Sequence, residues 1–121
     1  LSFAVTSGKV YWFRFIIEYT AAATTTGSRW SISGPGASAM RFRTENSLTT
    51  TTSTITEGNT AHDAPTGVNA SSAATGGNIA VIEGFYHASA SGTLTARFAS
   101  EVASSAIVAK AGSIVLYQEV A

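Results

Sequence analysis

The chain has 121 residues, enough for one domain, and its seven basic and seven acidic residues leave a formal net charge of zero. Only 12% of the residues are charged, roughly half the usual share, and cysteine is absent. These numbers exclude disulfides and thiolate metal sites, and they give no electrostatic attraction to nucleic acid or to an anionic membrane. No stretch approaches the roughly 18 apolar residues of a membrane-inserted helix.

The first segment alternates Leu1, Phe3 and Val5 with small residues, which predicts a short strand that ends at Ser7 and Gly8. It has no basic region before its apolar residues, so we do not expect a signal peptide. It also lacks an initiator Met. We therefore expect residues 1–121 to be one domain that is either a processed product or a piece of a longer protein.

Residues 9–19 form the most apolar predicted strand. One face carries Tyr11, Phe13, Phe15, Ile17 and Tyr19, and the opposite face, here called the second face, carries Val10, Trp12, Arg14 and Ile16. A strand with one face in water alternates apolar and polar residues, whereas this strand is apolar on both faces. In so small a domain we expect another subunit to cover the second face, which is therefore a candidate oligomer interface. Arg14 should pair with a carboxylate, such as that of Glu18 or one from a neighbouring subunit, because an unpaired buried charge is costly.

Three more strands are predicted before the middle of the chain. Residues 29–33 and 39–45 alternate apolar and polar side chains, and Gly34, Pro35 and Gly36 separate them. Residues 49–56 are mostly threonine, whose β-branched side chain suits a pleated surface. Because this run has little apolar character, we expect it to be an edge or outer strand.

Residues 57–77 contain almost no large apolar side chain and predict a long surface loop, where binding functions are often carried. Within this loop, His62 and Asp63 are candidate ligand-binding residues. Trp30 is a third candidate because its ring could stack on a sugar, although packing is the ordinary role of a tryptophan. Glu57, His62 and Asp63 match no known ligand spacing, so no metal is expected, and Asp63 is expected to cap a turn.

The last third predicts strands over residues 78–87, 93–98 and 113–120. Residues 101–109 are ambiguous between a helical turn and a strand, although Ile107 and Val108 favour a strand. About eight short strands separated by Gly-rich turns predict an all-β fold, an antiparallel β-sandwich of jelly-roll type.

Reactive groups are sparse, and we predict no enzyme, no catalytic residue and no cofactor. The acids form no close pair in sequence, and no nucleophile elbow of the form G-x-S-x-G occurs. A small hydrolase on a jelly roll would need convergent acids around a residue such as Glu83. Basic residues do not cluster, so no nucleic-acid partner is expected.

Several segments together carry a family resemblance. They are the aromatic strand with its Ala/Thr continuation (11–26), R-W-S-I-S-G-P-G (29–36), I-E-G-F-Y (82–86), G-T-L-T-A-R-F-A (92–99) and A-G-S-I-V-L (111–116). Their order resembles small β-sandwich domains in structural proteins of tailed bacteriophages, which occur in tail fibres, tail tips, and head decoration or head fibre proteins. The resemblance implies a virion location, contacts with other virion proteins, and a symmetric homo-oligomer, often a trimer. The alternative is a carbohydrate- or host-receptor-binding module that meets a surface glycan of the host.

Overall fold

The computed structural model describes residues 1–64 and 70–121. Over these residues the secondary structure is strands and turns, without a helix. The strands are β1 (Ser2–Val5), β2 (Val10–Ala21), β3 (Ser28–Ser33), β4 (Ala37–Ser47), β5 (Ser53–Asn59), β6 (Asn78–Ala88), β7 (Gly92–Ser100), β8 (Ile107–Ala109) and β9 (Ile114–Glu119). The predicted all-β class is confirmed.

Two antiparallel sheets pack face to face. The small sheet has the order β1-β7-β3, and the large sheet has the order β5-β4-β6-β2, after which β8 and β9 both pair with the free side of β2. Strand β9 pairs with the first half of β2, from Tyr11 to Ile16, and β8 pairs with its end, from Tyr19 to Ala21. This architecture confirms the antiparallel β-sandwich, while the jelly-roll connectivity stays a prediction.

The core lies between the sheets and is centred on the face of β2 opposite the second face, which carries Tyr11, Phe13, Phe15, Ile17 and Tyr19. Phe13, Phe15 and Tyr19 of that face are fully buried, because the small sheet covers them. Trp30 enters the core from β3, where its ring lies 5.0 Å from that of Tyr19. Its indole N–H donates to the Oγ of Ser28 at 2.9 Å, so the polar edge of a buried ring is satisfied. Alternation in the sequence therefore identified the buried face of β2 correctly.

The threonine run departs from its predicted bounds. Residues 48–52 form a turn instead of a strand, in which the backbone N–H groups of Leu48 and Thr49 both donate to the carbonyl of Thr52. The hydroxyls of Thr49 and Thr52 lie 2.6 Å apart and reinforce this turn. The strand that follows, β5, is an edge strand as expected, but it extends through Asn59. Residues 57–59 are thus part of a strand, and residues 65–69 of the predicted loop lie outside the described residues.

Candidate interaction surface

The outer face of the large sheet, here called the apolar face, points away from the core. Its apolar members come from five strands: Val10, Trp12 and Ile16; Ile55; Ile79, Val81 and Phe85; Val108; Ile114 and Leu116. Phe85 is 48% exposed and Leu116 is 47% exposed, and the β2 members are half-buried by their neighbours on the same face. Within the described residues, no element packs over this face.

The small sheet provides an internal comparison. Its outer face carries Ser2, Ala4, Arg29, Ser31, Ser33, Thr93, Thr95, Arg97 and Ala99. None of these is a large apolar side chain, which is the ordinary pattern for an antiparallel sheet with one face in water. The same chain thus has one outer face suited to solvent and one that is not. Contiguous exposed apolar area of this kind marks an interaction surface in soluble proteins.

A row of charges crosses the middle of the apolar face. The row runs Glu57, Arg43, Glu83 and Arg14 on the neighbouring strands β5, β4, β6 and β2, so the signs alternate. Arg43 donates to Glu83 at 3.1 Å and lies 3.9 Å from Glu57. The hydrogen bond and charge of Glu83 raise the pKa of Arg43, so this guanidinium stays protonated.

Arg14, at the end of the row, differs from Arg43 in its hydrogen bonding. It lies opposite Glu83 in the register of β2 and β6, yet the hydrogen bond that Glu83 accepts comes from Arg43. The Nε of Arg14 is buried and has no hydrogen-bond partner within the described residues. A buried donor without a partner costs about 1–3 kcal/mol, so the chain bears this cost at Arg14.

The row borders a depression of ≈370 Å³ on the same face. Its walls include Trp12, Arg41, Arg43, Glu57, Glu83 and Phe85. Aromatic side chains and arginines are enriched at protein–protein interfaces, and both occur here on one sheet. The four predicted interface residues of β2 therefore belong to a larger apolar face, to which β6 contributes as many apolar side chains as β2 and β9 contributes two more.

The three candidate ligand-binding residues lie apart from this face. Trp30 is 1% exposed, so its ring has no open side on which a sugar could stack, and the packing role fits it instead. His62 lies against Tyr86, with Nε2 3.0 Å from the hydroxyl. Asp63 lies 3.6 Å from the Nε of Arg97, and its backbone takes the left-handed conformation with φ of 53°.

A second depression of ≈460 Å³ lies beside Asp63 and Trp30. Phe98, not Trp30, is its accessible aromatic group, since it is 43% exposed while stacking on the buried indole at 5.1 Å. Arg29 and Arg97 also line it. Arg29 pairs with Glu101. The only sequence signal for Phe98 was its place in an alternating strand.

No catalytic arrangement stands out in the part of the chain that the structure describes. Among residues 1–64 and 70–121, no group of three His, Asp or Glu side chains could hold a metal ion. Glu57 lies beside Arg43 on the apolar face, whereas His62 and Asp63 contact Tyr86 and Arg97. None of the described residues forms an apolar helix of the length that a bilayer crossing needs.

The residues that sequence reasoning missed on the apolar face are Phe85, Ile79, Ile114 and Leu116. Their signal was present, because residues 79–87 and 114–116 carry large apolar groups on both faces of their strands. What the sequence lacked was the pairing that brings these strands beside β2.

No protein-family model, no curated protein and no solved structure significantly matches the chain. The resemblance to bacteriophage virion domains accordingly stays a prediction.

Proposed function

We propose that this chain is a non-enzymatic structural domain of a bacteriophage virion, and that it assembles as a symmetric homo-oligomer through the apolar face. The observation that carries the proposal is the difference between the two outer faces of the sandwich. One is built mainly of serine, threonine and alanine, and the other of tryptophan, phenylalanine, isoleucine and leucine. On a free monomer the large apolar side chains of the apolar face stay exposed to water and add no stability. In an assembly the neighbouring subunit buries them.

Several further features support a structural role. Zero net charge gives a free monomer little colloidal protection, which a subunit held in a particle tolerates better. Two packed sheets, without a reactive cluster among the described residues, suit a domain whose task is packing. The order of segments that resembles tail-fibre, tail-tip and head-decoration domains supports the virion location and favours a trimer.

Assembly is tested by measuring mass in native buffer, by native mass spectrometry and sedimentation, for the chain and two matched variants. Phe85→Lys places a charge on the apolar face, and Thr93→Lys places the same charge on the exposed outer face of the small sheet. We expect an oligomer for the unmodified chain and for Thr93→Lys, and a smaller species for Phe85→Lys. A stable monomer at micromolar concentration would contradict the proposal.

The virion location needs its own measurement. Gold-labelled antibodies against the domain should decorate purified phage particles of its source at one repeated position. Particles that carry no label, while the cell lysate contains the protein, would contradict a virion role.

The alternative function is carbohydrate or host-receptor binding at the depression beside Phe98. An exposed ring flanked by two arginines is the observation that favours it. On a glycan array, Phe98→Ala should abolish binding, and Val102→Ala, an exposed apolar truncation outside the depression, should preserve it. Equal signals from both variants would exclude this depression as the site.

A further inference from the structure

The charge row also specifies the relative orientation of two copies. This inference rests on the self-association proposed above. We propose that two chains pack apolar face to apolar face about a two-fold axis that runs parallel to the strands, midway between β2 and β6. In this arrangement Arg14 of each copy pairs with Glu83 of the partner subunit. The assembly unit is then a dimer instead of the trimer that the resemblance favours.

The geometry follows from strand pairing. Strands β2 and β6 are neighbours, and Arg14 and Glu83 are register partners within one chain. A two-fold axis between and parallel to these strands exchanges the β2 position of one copy with the β6 position of the other. Each β2 residue therefore faces the partner subunit's copy of its own register partner. The Arg14 guanidinium, whose buried Nε has no hydrogen-bond partner among the described residues, thereby faces the Glu83 carboxylate of the partner subunit.

The same axis aligns the apolar groups on both sides of this pair. Trp12 and Phe85 are register partners, as are Ile16 and Val81, so each meets the other across the interface. Aromatic and aliphatic groups thus form the centre of the contact. The charged residues of β4 and β5 fall at its margin, which is the usual arrangement of a protein interface.

Other two-fold axes are less favourable. An axis that runs across the strands along the charge row places each side chain of that row over the same residue of the partner subunit, so that Arg14 meets Arg14 and Glu83 meets Glu83. Shifting that axis by half a row buries Arg14 against Ile16 of the partner subunit and Glu83 against Val81 of the partner subunit, without a partner charge. Shifting it by a full row pairs Arg14 with Glu18 of the partner subunit but leaves Glu83 against Ile79 of the partner subunit. Like-charge contact and unpaired burial are both costly, so the alternating row selects the axis parallel to the strands.

The available area is sufficient. With strands about 4.8 Å apart and a rise of about 3.3 Å per residue, the four strands β4, β6, β2 and β9 offer a footprint of roughly 600 Å² per subunit. Two such footprints bury about 1,200 Å², the lower end of the standard class of stable interfaces. Sheets that pack in this way keep their strand directions within about 30° of each other, which leaves the central pairs in contact.

The test is a charge exchange between two variants of the 121-residue chain. Arg14→Glu alone would set two carboxylates against each other across the interface, and Glu83→Arg alone would set two guanidinium groups against each other. We expect each variant to dimerise at least about a hundredfold more weakly than the unmodified chain. An equimolar mixture should form a 1:1 heterodimer, because both contacts across the interface then join side chains of opposite charge.

 One contact joins the two substituted side chains, and the other joins the native Arg14 of one variant to the native Glu83 of the other. Lys110→Glu, a charge reversal at the turn before β9, is the matched control and should dimerise normally.

Native mass spectrometry and sedimentation velocity give the masses, and circular dichroism checks that each variant is folded. Unchanged dimerisation of Arg14→Glu, or a folded mixture that stays monomeric, would overturn the two-fold arrangement. A trimer that is insensitive to both substitutions would overturn it as well, yet leave the proposed assembly intact. A monomeric unmodified chain would overturn both, so the two failures are distinguishable.

Discussion

Gly84 allows β4 and β6 to approach each other, and the substitution Gly84→Ala tests whether the fold depends on that approach. The residue lies on the inner side of β6, between Phe13 and Phe42 on the neighbouring strands. A Cβ at this position would lie 2.1 Å from the carbonyl oxygen of Arg41 and 2.6 Å from the Cα of Phe42. Both neighbouring atoms are backbone, so no side-chain rotation relieves the contact.

The expected cost can be worked from these distances. The two strands must separate by about 1 Å to restore ordinary contact, which lengthens the adjacent ladder hydrogen bonds. Overpacking costs about 1–3 kcal/mol, and one or two weakened hydrogen bonds add about 1 kcal/mol each. We therefore expect Gly84→Ala to lower the free energy of unfolding by about 2–5 kcal/mol, a large share of the roughly 5–15 kcal/mol of a typical domain.

Gly76→Ala is the matched control, because a Cβ at Gly76 would meet no atom within 4 Å. It should leave the free energy of unfolding unchanged or raise it by up to about 1 kcal/mol, since alanine restricts the unfolded chain. Urea titration followed by tryptophan fluorescence measures both variants. All samples should be kept at one low protein concentration, because self-association adds stability that depends on concentration. A difference between the two variants of less than about 1 kcal/mol would refute the close-approach argument.

Three further predictions concern the core, the pH dependence and the apolar face. Trp30→Ala should lower the free energy of unfolding by about 3–5 kcal/mol in the same urea assay, because it empties a fully buried site, and a loss below about 1 kcal/mol would contradict that burial. Burial raises the pKa of the Tyr86 phenol above its ordinary value of 10.0, so its contribution to stability is complete below pH 10 and is lost as pH rises through the folded-state pKa. Thermal stability from about pH 8 to 11 should therefore fall more steeply for the unmodified chain than for Tyr86→Phe, and parallel curves would argue against this titration. Leu116→Ser should change the free energy of unfolding of the monomer by less than about 1 kcal/mol and yet weaken self-association in sedimentation, whereas equal association would exclude β9 from the interface.

The strands of this protein were largely predictable because strand signals are local. A period of two in residues 10–19 distinguishes the two faces of β2 without knowledge of any partner. The bounds were less predictable, since hydroxyl and backbone bonds of Thr49 and Thr52 convert half of the threonine run into a turn. Propensity for a strand was outweighed there by local side-chain hydrogen bonding.

The sequence by itself determined that β2 is apolar on both faces and that the chain is poor in reactive groups. Only the tertiary structure decided which strands lie beside β2, and thereby placed Phe85 and Leu116 next to Trp12 and Arg14. It also decided that Arg43, not Arg14, donates to Glu83. Pairing between residues distant in the chain has no local signal, because it depends on register across strands and on the closure of the loops between them.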